Sequence, residues 1–462
     1  MPALSGGSSS DPRTPAALPG LPPPFQTVAV IGAGGLTAGI DAYGDIVDLR
    51  APGPAGRALI DNPHERQAAG TVAAATGIVP RVSVAGEPAL PLWRADSVRQ
   101  RYLPGTGVLR TAARFGGIRV EIECAANRGD VGCITGGGAT SAADVSFDSH
   151  LLGGRERIHL DDGAARRIVG AEIVAGRRWI RRARPLGPGA PAWARAMYAR
   201  SLLVLRALSD RRSGAVAAGA RDGWAYVWPR DAGAVAIALA SAGYRAEARR
   251  VARFLLGLSL GAAARFYGDG RPVPGRSAEG DASGWVAAAA RAAGLPSPPL
   301  RYGWRDRADY QEGAAGEYLG NAIALGSPVN GLEREQDNPS SGLDSAAAWA
   351  VRPFPRPGIF PAVRLTLLRL VARSGPYGVL PSADWDGGED PWTAPTAWTA
   401  WSLAALDERR PALGLLADLR RAATPAGLLP ERVDARTGVP RSTAPLAWSH
   451  AFAILALRQL WP

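Results

Sequence analysis

The chain has 462 residues, which is too long for one small domain and predicts two domains or one large helical array. Its composition, 47% hydrophobic and 20% charged, is typical of a soluble globular protein, and no run of roughly eighteen apolar residues predicts a membrane span. The net charge is +12 and every basic residue is arginine. Acidic residues are mixed with the arginines along the whole chain, which argues against a nucleic-acid-binding surface.

The chain contains few cysteines and histidines, the residues that bind zinc and similar metal ions. The only cysteines are Cys124 and Cys133, so the sequence predicts neither a disulfide framework nor a zinc cluster. The four histidines show no spacing typical of metal ligands. We therefore expect no metal site.

Residues 1–24 are rich in proline, glycine and serine, a composition that predicts a disordered arm. The segment lacks a basic stretch followed by an apolar core, which is the pattern of a secretion signal. The sequence therefore predicts a cytoplasmic location.

Residues 25–185 are predicted to form an antiparallel β-sandwich domain. Short segments rich in β-branched residues occur at 27–31, 77–84 and 117–123. Glycine, proline and aspartate separate these segments, as expected for turns between the strands of a sandwich.

A glycine-rich run at 32–39 follows the first of these segments and resembles the start of a dinucleotide-binding fingerprint. Such a fingerprint requires a strand, the glycines and then a helix within a βαβ unit. Here Tyr43, Gly44 and Asp45 lie between apolar pairs, which predicts a hairpin instead. A nucleotide-dependent oxidoreductase is therefore the weakest functional hypothesis.

Helical periodicity dominates after about residue 191. The succession of helices with short connections predicts paired helices in a barrel or toroid, with stacked helix pairs as the competing arrangement. The predicted helices lie at 193–209, 232–258, 284–293, 314–325, 344–351, 360–373, 396–409, 411–423 and 445–460.

A motif of three aromatic residues precedes the helix predicted at 232–258. Trp228 is followed directly by a proline and by Arg230 and Asp231. Asp231 can act as the N-cap of this helix. A cap does not explain the aromatic residues, however, and an adjacent arginine and aspartate offer the donors and acceptors that grip neighbouring sugar hydroxyls.

Residues 378–392 combine four carboxylates with two tryptophans in one predicted loop. The spacing of the carboxylates does not match an EF-hand calcium loop. A polar loop with aromatic platforms at the mouth of a ligand site fits the same residues. Five tryptophans at loop–helix junctions are candidates for stacking on a ligand, namely Trp228, Trp304, Trp385, Trp392 and Trp448.

Glu431 stands among apolar and turn residues shortly before the last predicted helix. A carboxylate with few charged neighbours, close to Trp and Pro, is placed where burial can change its pKa. By composition alone, a solvated loop glutamate next to Arg432 is the simpler interpretation.

The motifs follow one another in a fixed order along the chain. They are Trp-Pro-Arg-Asp ending at Asp231, Gly-Leu-Asp-Ser at 342–345, the Asp-Pro-Trp loop, Leu-Pro-Glu ending at Glu431, and Trp-Ser-His beginning at Trp448. This order and spacing resemble glycoside hydrolase family 15, which contains glucoamylases, glucodextranases and bacterial trehalases. The N-terminal half resembles the β-sandwich that precedes the barrel in bacterial members, so the resemblance covers nearly everything after the arm.

The resemblance implies an α+β protein of two domains, in which an (α/α)6 barrel over residues 186–462 follows the sandwich. It also implies hydrolysis of α-glucosidic bonds with inversion, without a cofactor. An inverting site needs a general acid for the leaving oxygen and a general base for the attacking water, with carboxyls roughly 6.5–9.5 Å apart.

Site residues follow from the resemblance by position. Glu431 matches the general base, and Arg230 and Asp231 match the pair that grips the sugar. Trp228 and Trp392 resemble subsite aromatics. Trp448 lies at the start of the helix that flanks the base, and Trp304 and Trp385 are expected to line the same pocket.

The general acid is the least well defined of these residues. The family usually has a tryptophan followed by one or two glutamates, and this chain has no such string. The nearest match is Tyr-Gln-Glu ending at Glu312, which makes Glu312 the predicted acid, with Glu317 and Asp306 as alternatives. A position near a helix N-terminus lowers the pKa of a carboxyl, which is unfavourable for an acid unless burial opposes it.

The main hypothesis is a glycosidase that releases glucose from α-linked gluco-oligosaccharides or trehalose. The alternative is a catalytically impaired carbohydrate-binding or scaffold protein on the same fold, suggested by the missing Trp-Glu string. The expected partner is an oligosaccharide or disaccharide, with no nucleic acid and no membrane. The sequence leaves the linkage, the substrate length and the oligomeric state open.

Overall fold

The computed structural model describes residues 27–60, 77–84, 86–136, 143–221, 223–298, 332, 342–382 and 388–462. Strands form most of the described residues before position 160, and helices form most of those after it. The predicted order of a sheet-rich region followed by a helical region is therefore confirmed.

Two sheets make up the described part of the first region. The strands are β1 (Thr27–Gly32), β2 (Thr37–Asp41), β3 (Ile46–Ala51), β4 (Arg57–Ala58), β5 (Gly77–Val84), β6 (Leu90–Pro91), β7 (Ser97–Tyr102), β8 (Leu109–Phe115), β9 (Ile118–Ala126), β10 (Val131–Thr135), β11 (Ala143–His150) and β12 (Ile158–Leu160). The first sheet has the order β1-β2-β3-β5-β11, with β4 beside β3 and β6 beside β5, and the second has the order β12-β10-β9-β8-β7. All pairs are antiparallel except β10 with β12.

The apolar faces of the two sheets share one core. Tyr102 at the end of β7 links them directly, because its hydroxyl donates to the Val30 carbonyl at 2.6 Å and accepts the Val30 N–H at 2.8 Å. Alternating buried residues on β8 show the period of two expected for strands with one face in a core.

The predicted hairpin with its turn at 43–45 joins β2 and β3, and the glycine-rich run at 32–39 connects β1 to β2 and is no part of a βαβ unit. β1 and β2 are antiparallel neighbours, with Gly32 opposite Thr37. A Cβ added to Gly32 would lie 3.0 Å from the side chain and carbonyl of Ala207. The glycine therefore allows a helix to approach the strand closely, and a dinucleotide-binding role for this run is excluded by its topology.

The two cysteines form a disulfide, which the sequence did not predict. Cys124 on β9 lies directly opposite Cys133 on β10, and the two sulfurs are bonded. The pairing follows from the register of the two strands, which a count of cysteines does not contain.

One helix was missed in the range assigned to the sandwich. α1 (Gly163–Arg182) begins after Asp162, whose side chain accepts the N–H of Ala165 at 2.7 Å. Its buried positions include Ala165, Ile168 and Gly176, which is helical spacing. The prediction extended the sandwich over this segment from the strand-like segments before it, whereas the apolar residues of 163–182 follow the period of 3.6.

The described helices after α1 are α2 (Ala192–Leu208), α3 (Pro229–Ser241), α4 (Arg245–Leu256), α5 (Ala282–Ala292), α6 (Phe360–Ala372), α7 (Thr393–Ala405), α8 (Arg409–Ala422) and α9 (Ala447–Leu460). The helix predicted at 232–258 is divided between α3 and α4, because Gly243 adopts a φ of 92°. The segment at 344–351 is 3-10 helix over Ser345–Ala350. The helix predicted at 314–325 lies outside the described residues. None of the described helices has the length and apolar content needed to cross a bilayer.

Aromatic side chains fill the centre of the helical region. Trp285, Trp349 and Trp398 form successive edge-to-face pairs with ring centroids 5.3 Å apart. Phe452 on α9 contacts the rings of both Trp285 and Trp398, at 5.9 and 5.6 Å, and is fully buried. Trp448 continues the cluster at 5.2 Å from Trp398, so the core leads directly to the start of α9.

Replacing Phe452 by alanine should lower the free energy of unfolding by about 3–5 kcal/mol, because the change removes a buried ring and leaves a cavity among the tryptophans. Urea unfolding followed by tryptophan fluorescence measures the change. Leu152→Ala is the control, since Leu152 is 66% exposed, and its unfolding should match that of the parent protein. Equal unfolding midpoints for both variants would contradict the assigned core.

Candidate active site

A cavity of about 430 Å³ lies where the N-terminal ends of α3, α7 and α9 meet the loop before β13 (Arg432–Val433). Six residues predicted from the sequence line it together, namely Trp228, Arg230, Asp231, Trp392, Glu431 and Trp448. Segments separated by about 200 residues along the chain thus converge on one site.

Backbone hydrogen bonds hold Glu431 on both sides. Its N–H donates to the Thr443 carbonyl at 2.8 Å, and its carbonyl accepts the N–H of Thr393 at 3.0 Å. The Thr393 hydroxyl also bonds the carbonyl of Pro430 and lies 2.8 Å from the Ser449 hydroxyl. The carboxylate is therefore carried on a loop fixed to the starts of α7 and α9.

His450 fixes the residues just before Glu431. Its Nε2 accepts the N–H of Leu429 at 2.9 Å, so this nitrogen carries no proton, and its Nδ1 lies 3.0 Å from the Ser201 hydroxyl. Burial lowers the pKa of His450 to about 3, with the positive charge of Arg200 acting in the same direction. The imidazole is neutral and serves as a structural clamp between α2, α9 and the loop.

Two donors point at the carboxylate of Glu431. Trp224 Nε1 donates to Oε1 at 3.1 Å, and the Ser442 hydroxyl bonds Oε2. Burial raises the pKa of Glu431, while these two hydrogen bonds, Arg432 and Arg221 oppose the rise. Ser442 adopts a φ of 65°, a conformation that is costly for a side chain other than glycine and that is common at functional sites.

Asp231 faces the same cavity from the first turn of α3. The helix begins at Pro229 after Trp228, and the Asp231 side chain is not its N-cap. Burial raises the pKa of Asp231 to about 7, with Arg230 opposing the rise and the charges of Glu431 and Asp281 adding to it. The carboxyl therefore exchanges its proton near neutral pH.

Arg230 is almost completely buried, and two carboxylates compensate its charge. One guanidinium nitrogen donates to Glu279 at 3.1 Å and to Asp281 at 3.0 Å. The guanidinium carbon also lies 4.8 Å from the centre of the Trp448 ring. These contacts hold the guanidinium at the wall of the cavity in a single orientation.

Arg265 is a further cation of the cavity wall. Its guanidinium lies 4.8 Å from the ring of Tyr226 and 5.6 Å from that of Trp228. Trp228 is buried, whereas Trp224 and Trp392, which line the same cavity, are partly exposed. Flat aromatic surfaces beside polar groups suit the binding of a sugar ring.

Three predicted site residues lie outside the described residues, namely Glu312, Trp304 and Trp385. The alternative acids Glu317 and Asp306 lie outside them as well. Within the described ranges, His, Cys, Asp and Glu side chains form no group of three able to hold a metal ion.

Several residues of the site were not identified from the sequence. Trp224 belongs to the aromatic motif before α3 and could have been chosen from it. Ser442, Glu279 and Asp281 reach the site only through tertiary contacts, and no local pattern marks them. A buried arginine does require compensating carboxylates, but the sequence does not show which ones supply them.

The Glu431→Gln variant should have an Asp231 pKa below that of the parent protein, because the negative charge of Glu431 is one of the causes that raise it. Carbon-13 NMR titration of labelled aspartate carboxyls measures this pKa. Glu408→Gln, a change of the same charge on a glutamate paired with Arg364, is the control and should leave the value unchanged. An Asp231 pKa that is the same in all three proteins would show that the two carboxyls do not interact.

Comparisons with known proteins found similarity to glycoside hydrolases. The profile described as Glycosyl hydrolases family 15 matches residues 192–263. Among solved structures, a bacterial glucoamylase complexed with acarbose is similar over 97% of this chain and 96% of its own, with a TM-score of 0.63 and 11% sequence identity. A wild-type glycosidase is similar over 59% of this chain and 99% of its own, with a TM-score of 0.47 and 18% identity. A glucoamylase from Saccharomycopsis fibuligera covers 54% of this chain and 89% of its own, with a TM-score of 0.39 and 14% identity.

A search of curated proteins found no significant match to the sequence. At 11% identity, the likeness to the bacterial glucoamylase shows the fold alone. The profile match is independent of that likeness, and the matched region includes Trp228, Arg230 and Asp231. The profile match therefore supports the resemblance to glycoside hydrolase family 15 and the prediction of a glycosidase.

Proposed function

We propose that the protein is an inverting glycoside hydrolase that releases glucose from α-linked gluco-oligosaccharides or trehalose. The observation that supports this most is the meeting of Glu431 with Arg230, Asp231 and a set of tryptophans around one cavity. The solved bacterial glucoamylase contains acarbose, which supports a saccharide ligand for a protein of similar fold.

Arg230 and Asp231 bind the terminal sugar in this proposal. The guanidinium offers several donors in a fixed plane, and Glu279 and Asp281 orient it from behind. With a pKa of about 7, Asp231 can accept or donate a hydrogen bond to a hydroxyl near neutral pH. Trp228, Trp392 and Trp448, together with Trp304 and Trp385, provide the apolar surfaces for the sugar rings.

Glu431 acts as the general base and removes a proton from the attacking water. A base is most effective when its pKa lies near the working pH, and burial moves the pKa of Glu431 in that direction. The hydrogen bonds from Trp224 and Ser442 favour the ionised form of the Glu431 carboxyl, which is the form that acts as a base, and they fix its orientation.

Glu312 is the proposed general acid, with Glu317 and Asp306 as alternatives. Inversion requires the acid roughly 6.5–9.5 Å from Glu431, with room for the water and the sugar between them. In this proposal, residues 186–462 form the (α/α)6 barrel of the family.

We also propose a cytoplasmic location. The disulfide Cys124–Cys133 argues against it, because disulfides are more common in oxidising compartments.

The Glu431→Gln and Glu312→Gln variants should each release glucose about 100-fold to 10,000-fold more slowly than the parent protein, because each loses a proton-transfer group while keeping its shape. Glucose release from maltose, isomaltose and trehalose measures the change, and proton NMR of the first product identifies its anomer. The inverting mechanism predicts that the glucose attacked by water is released as the β-anomer, and that trehalose gives equal amounts of β- and α-glucose.

The Glu408→Gln variant is the matched control and should keep the parent rate, since Glu408 pairs with Arg364 away from the cavity. Undiminished release by Glu431→Gln would remove Glu431 as the base. Loss in Glu317→Gln or Asp306→Asn but not in Glu312→Gln would reassign the acid. Saccharide binding without turnover in the parent protein would instead support the carbohydrate-binding alternative.

Trp224→Phe and Ser442→Ala should each move the acidic limb of the kcat profile to higher pH. Both changes remove a hydrogen bond that favours the charged form of Glu431, so its pKa rises and the base is protonated at higher pH. Rates measured at saturating maltose between pH 4 and pH 8 test this expectation. Trp193→Phe, a tryptophan on α2 that does not line the cavity, is the control. A limb that moves to lower pH, or does not move, would contradict the base assignment.

A further inference from the structure

A second pocket, of about 220 Å³, lies between the sheets and the helices. It is bounded by α1, the C-terminal end of α2, the residues after α2, and α4, with the turn between β9 and β10 on the remaining side. It shares no lining residue with the active-site cavity. The two sites contact opposite ends of α3, since the active-site cavity includes Arg230 and this pocket includes Leu239.

Positive charge is concentrated in this pocket. Six arginines line it, namely Arg128, Arg178, Arg182, Arg206, Arg211 and Arg250. Arg206 pairs with Glu172 at 2.6 Å, and Glu247 lies 2.9 Å from Arg182 and 3.7 Å from Arg250. Asp210 is the other carboxylate of the lining, and it accepts the backbone N–H groups of Arg212 and Ser213. Counting these three carboxylates against the six arginines leaves a surplus of three positive charges.

Three of the guanidinium groups have no acidic partner in the part of the chain that the structure describes. These are Arg128 on the β9–β10 turn, Arg178 on α1 and Arg211 after α2. They come from three separate segments and border the same pocket. All three side chains are exposed, and because like charges repel, their meeting at one pocket leaves a positively charged site that is open to an anion.

The glycine-rich run at 32–39 allows two of these arginines to approach each other. The Gly34 carbonyl accepts the N–H of Arg211 at 3.0 Å, and a Cβ on Gly34 would collide with the Arg211 side chain. A Cβ on Gly35 would collide with the backbone of Arg128. Gly34 also has a φ of 80°, which favours glycine. Gly34 and Gly35 therefore leave the space in which Arg211 and Arg128 reach the pocket.

The electrostatic cost of this arrangement is visible at Arg211. Partial loss of hydration lowers the pKa of this exposed side chain, and the charges of Arg128, Arg206 and Arg250 lower it further, with Glu247 opposing them. A bound anion would remove this cost. Arginine is the side chain best suited to phosphate oxygens, because its planar fork donates two parallel hydrogen bonds.

We propose that this pocket binds the diphosphate group of a small molecule. The surplus of positive charge matches a multiply charged phosphate anion, and a sugar hydroxyl needs no such surplus. Apolar side chains also line the pocket, namely Trp179, Leu205, Leu239 and Val251. They can contact an uncharged organic group attached to the diphosphate. The site is independent of glycoside hydrolysis.

Isothermal titration calorimetry of the whole protein with inorganic diphosphate at constant ionic strength tests the proposal. We expect one binding site, and about tenfold weaker binding for each of Arg128→Ala, Arg178→Ala and Arg211→Ala, since each change removes a charge-assisted hydrogen bond. Arg177→Ala is the matched control. Arg177 neighbours Arg178 on α1, is exposed and does not line the pocket, so its removal changes the net charge equally and should leave the affinity unchanged.

Titration with ADP distinguishes two sources of the diphosphate group. Tighter binding of ADP than of inorganic diphosphate indicates an organic diphosphate that uses the apolar wall, and equal or weaker binding indicates the inorganic ion. Each variant should unfold within a few degrees of the parent protein without ligand, which excludes misfolding as the cause of weak binding. Absence of binding at millimolar diphosphate, or the same affinity in the parent protein and all four variants, would overturn the proposal.

Discussion

The buried guanidinium of Arg230 is the constraint around which the active site is arranged. A cation removed from water needs carboxylates nearby, and Glu279 and Asp281 supply them from the segment that leads into α5. This requirement ties the start of α3 to α5. The Trp448 ring, packed against the same guanidinium, ties it to α9 as well. The geometry presented to a sugar is therefore set by an ion-pair cluster lying behind the cavity wall.

The residues that touch the cavity were largely predictable, and those that support it were not. Trp228, Arg230, Asp231 and Glu431 lie in short motifs whose residue types and order are visible in the chain. The partners of Arg230 lie about 50 residues further on, and the Ser442 hydroxyl reaches Glu431 only because β13 pairs with β14 (Pro440–Arg441). Such contacts depend on the three-dimensional path of the chain, which no local pattern encodes.

Some features of the fold were likewise predictable from the sequence, and others were not. The change from strand to helix was predictable from periodicity, whereas α1 was missed because all of residues 25–185 was assigned to the sandwich from three strand-like segments that precede this helix. The break at Gly243 lies inside a continuous apolar pattern, and only the positive φ of the glycine ends α3 there. The glycines near position 34 resembled a phosphate-binding loop. Their actual effect is to allow neighbouring backbone to approach closely, and the candidate anion site is formed by arginines beside them.

The neutral His450 clamp has a consequence for the acid tolerance of the fold. The pKa of His450 in the folded state, about 3, lies below the ordinary value of 6.5. Between these two pH values the unfolded chain therefore binds a proton that the folded chain does not. As the pH decreases through this range, the free energy of unfolding falls by up to about 1.4 kcal/mol per pH unit. Asp41 and Asp231 act in the opposite sense. Their pKa values of about 7 lie above the ordinary 3.8, so their contribution is complete below 3.8 and is lost as the pH rises through 7. Of these three groups, only His450 still changes the free energy of unfolding between pH 3.8 and pH 3. Its protonation would break the hydrogen bond to Leu429 and release the loop that carries Glu431.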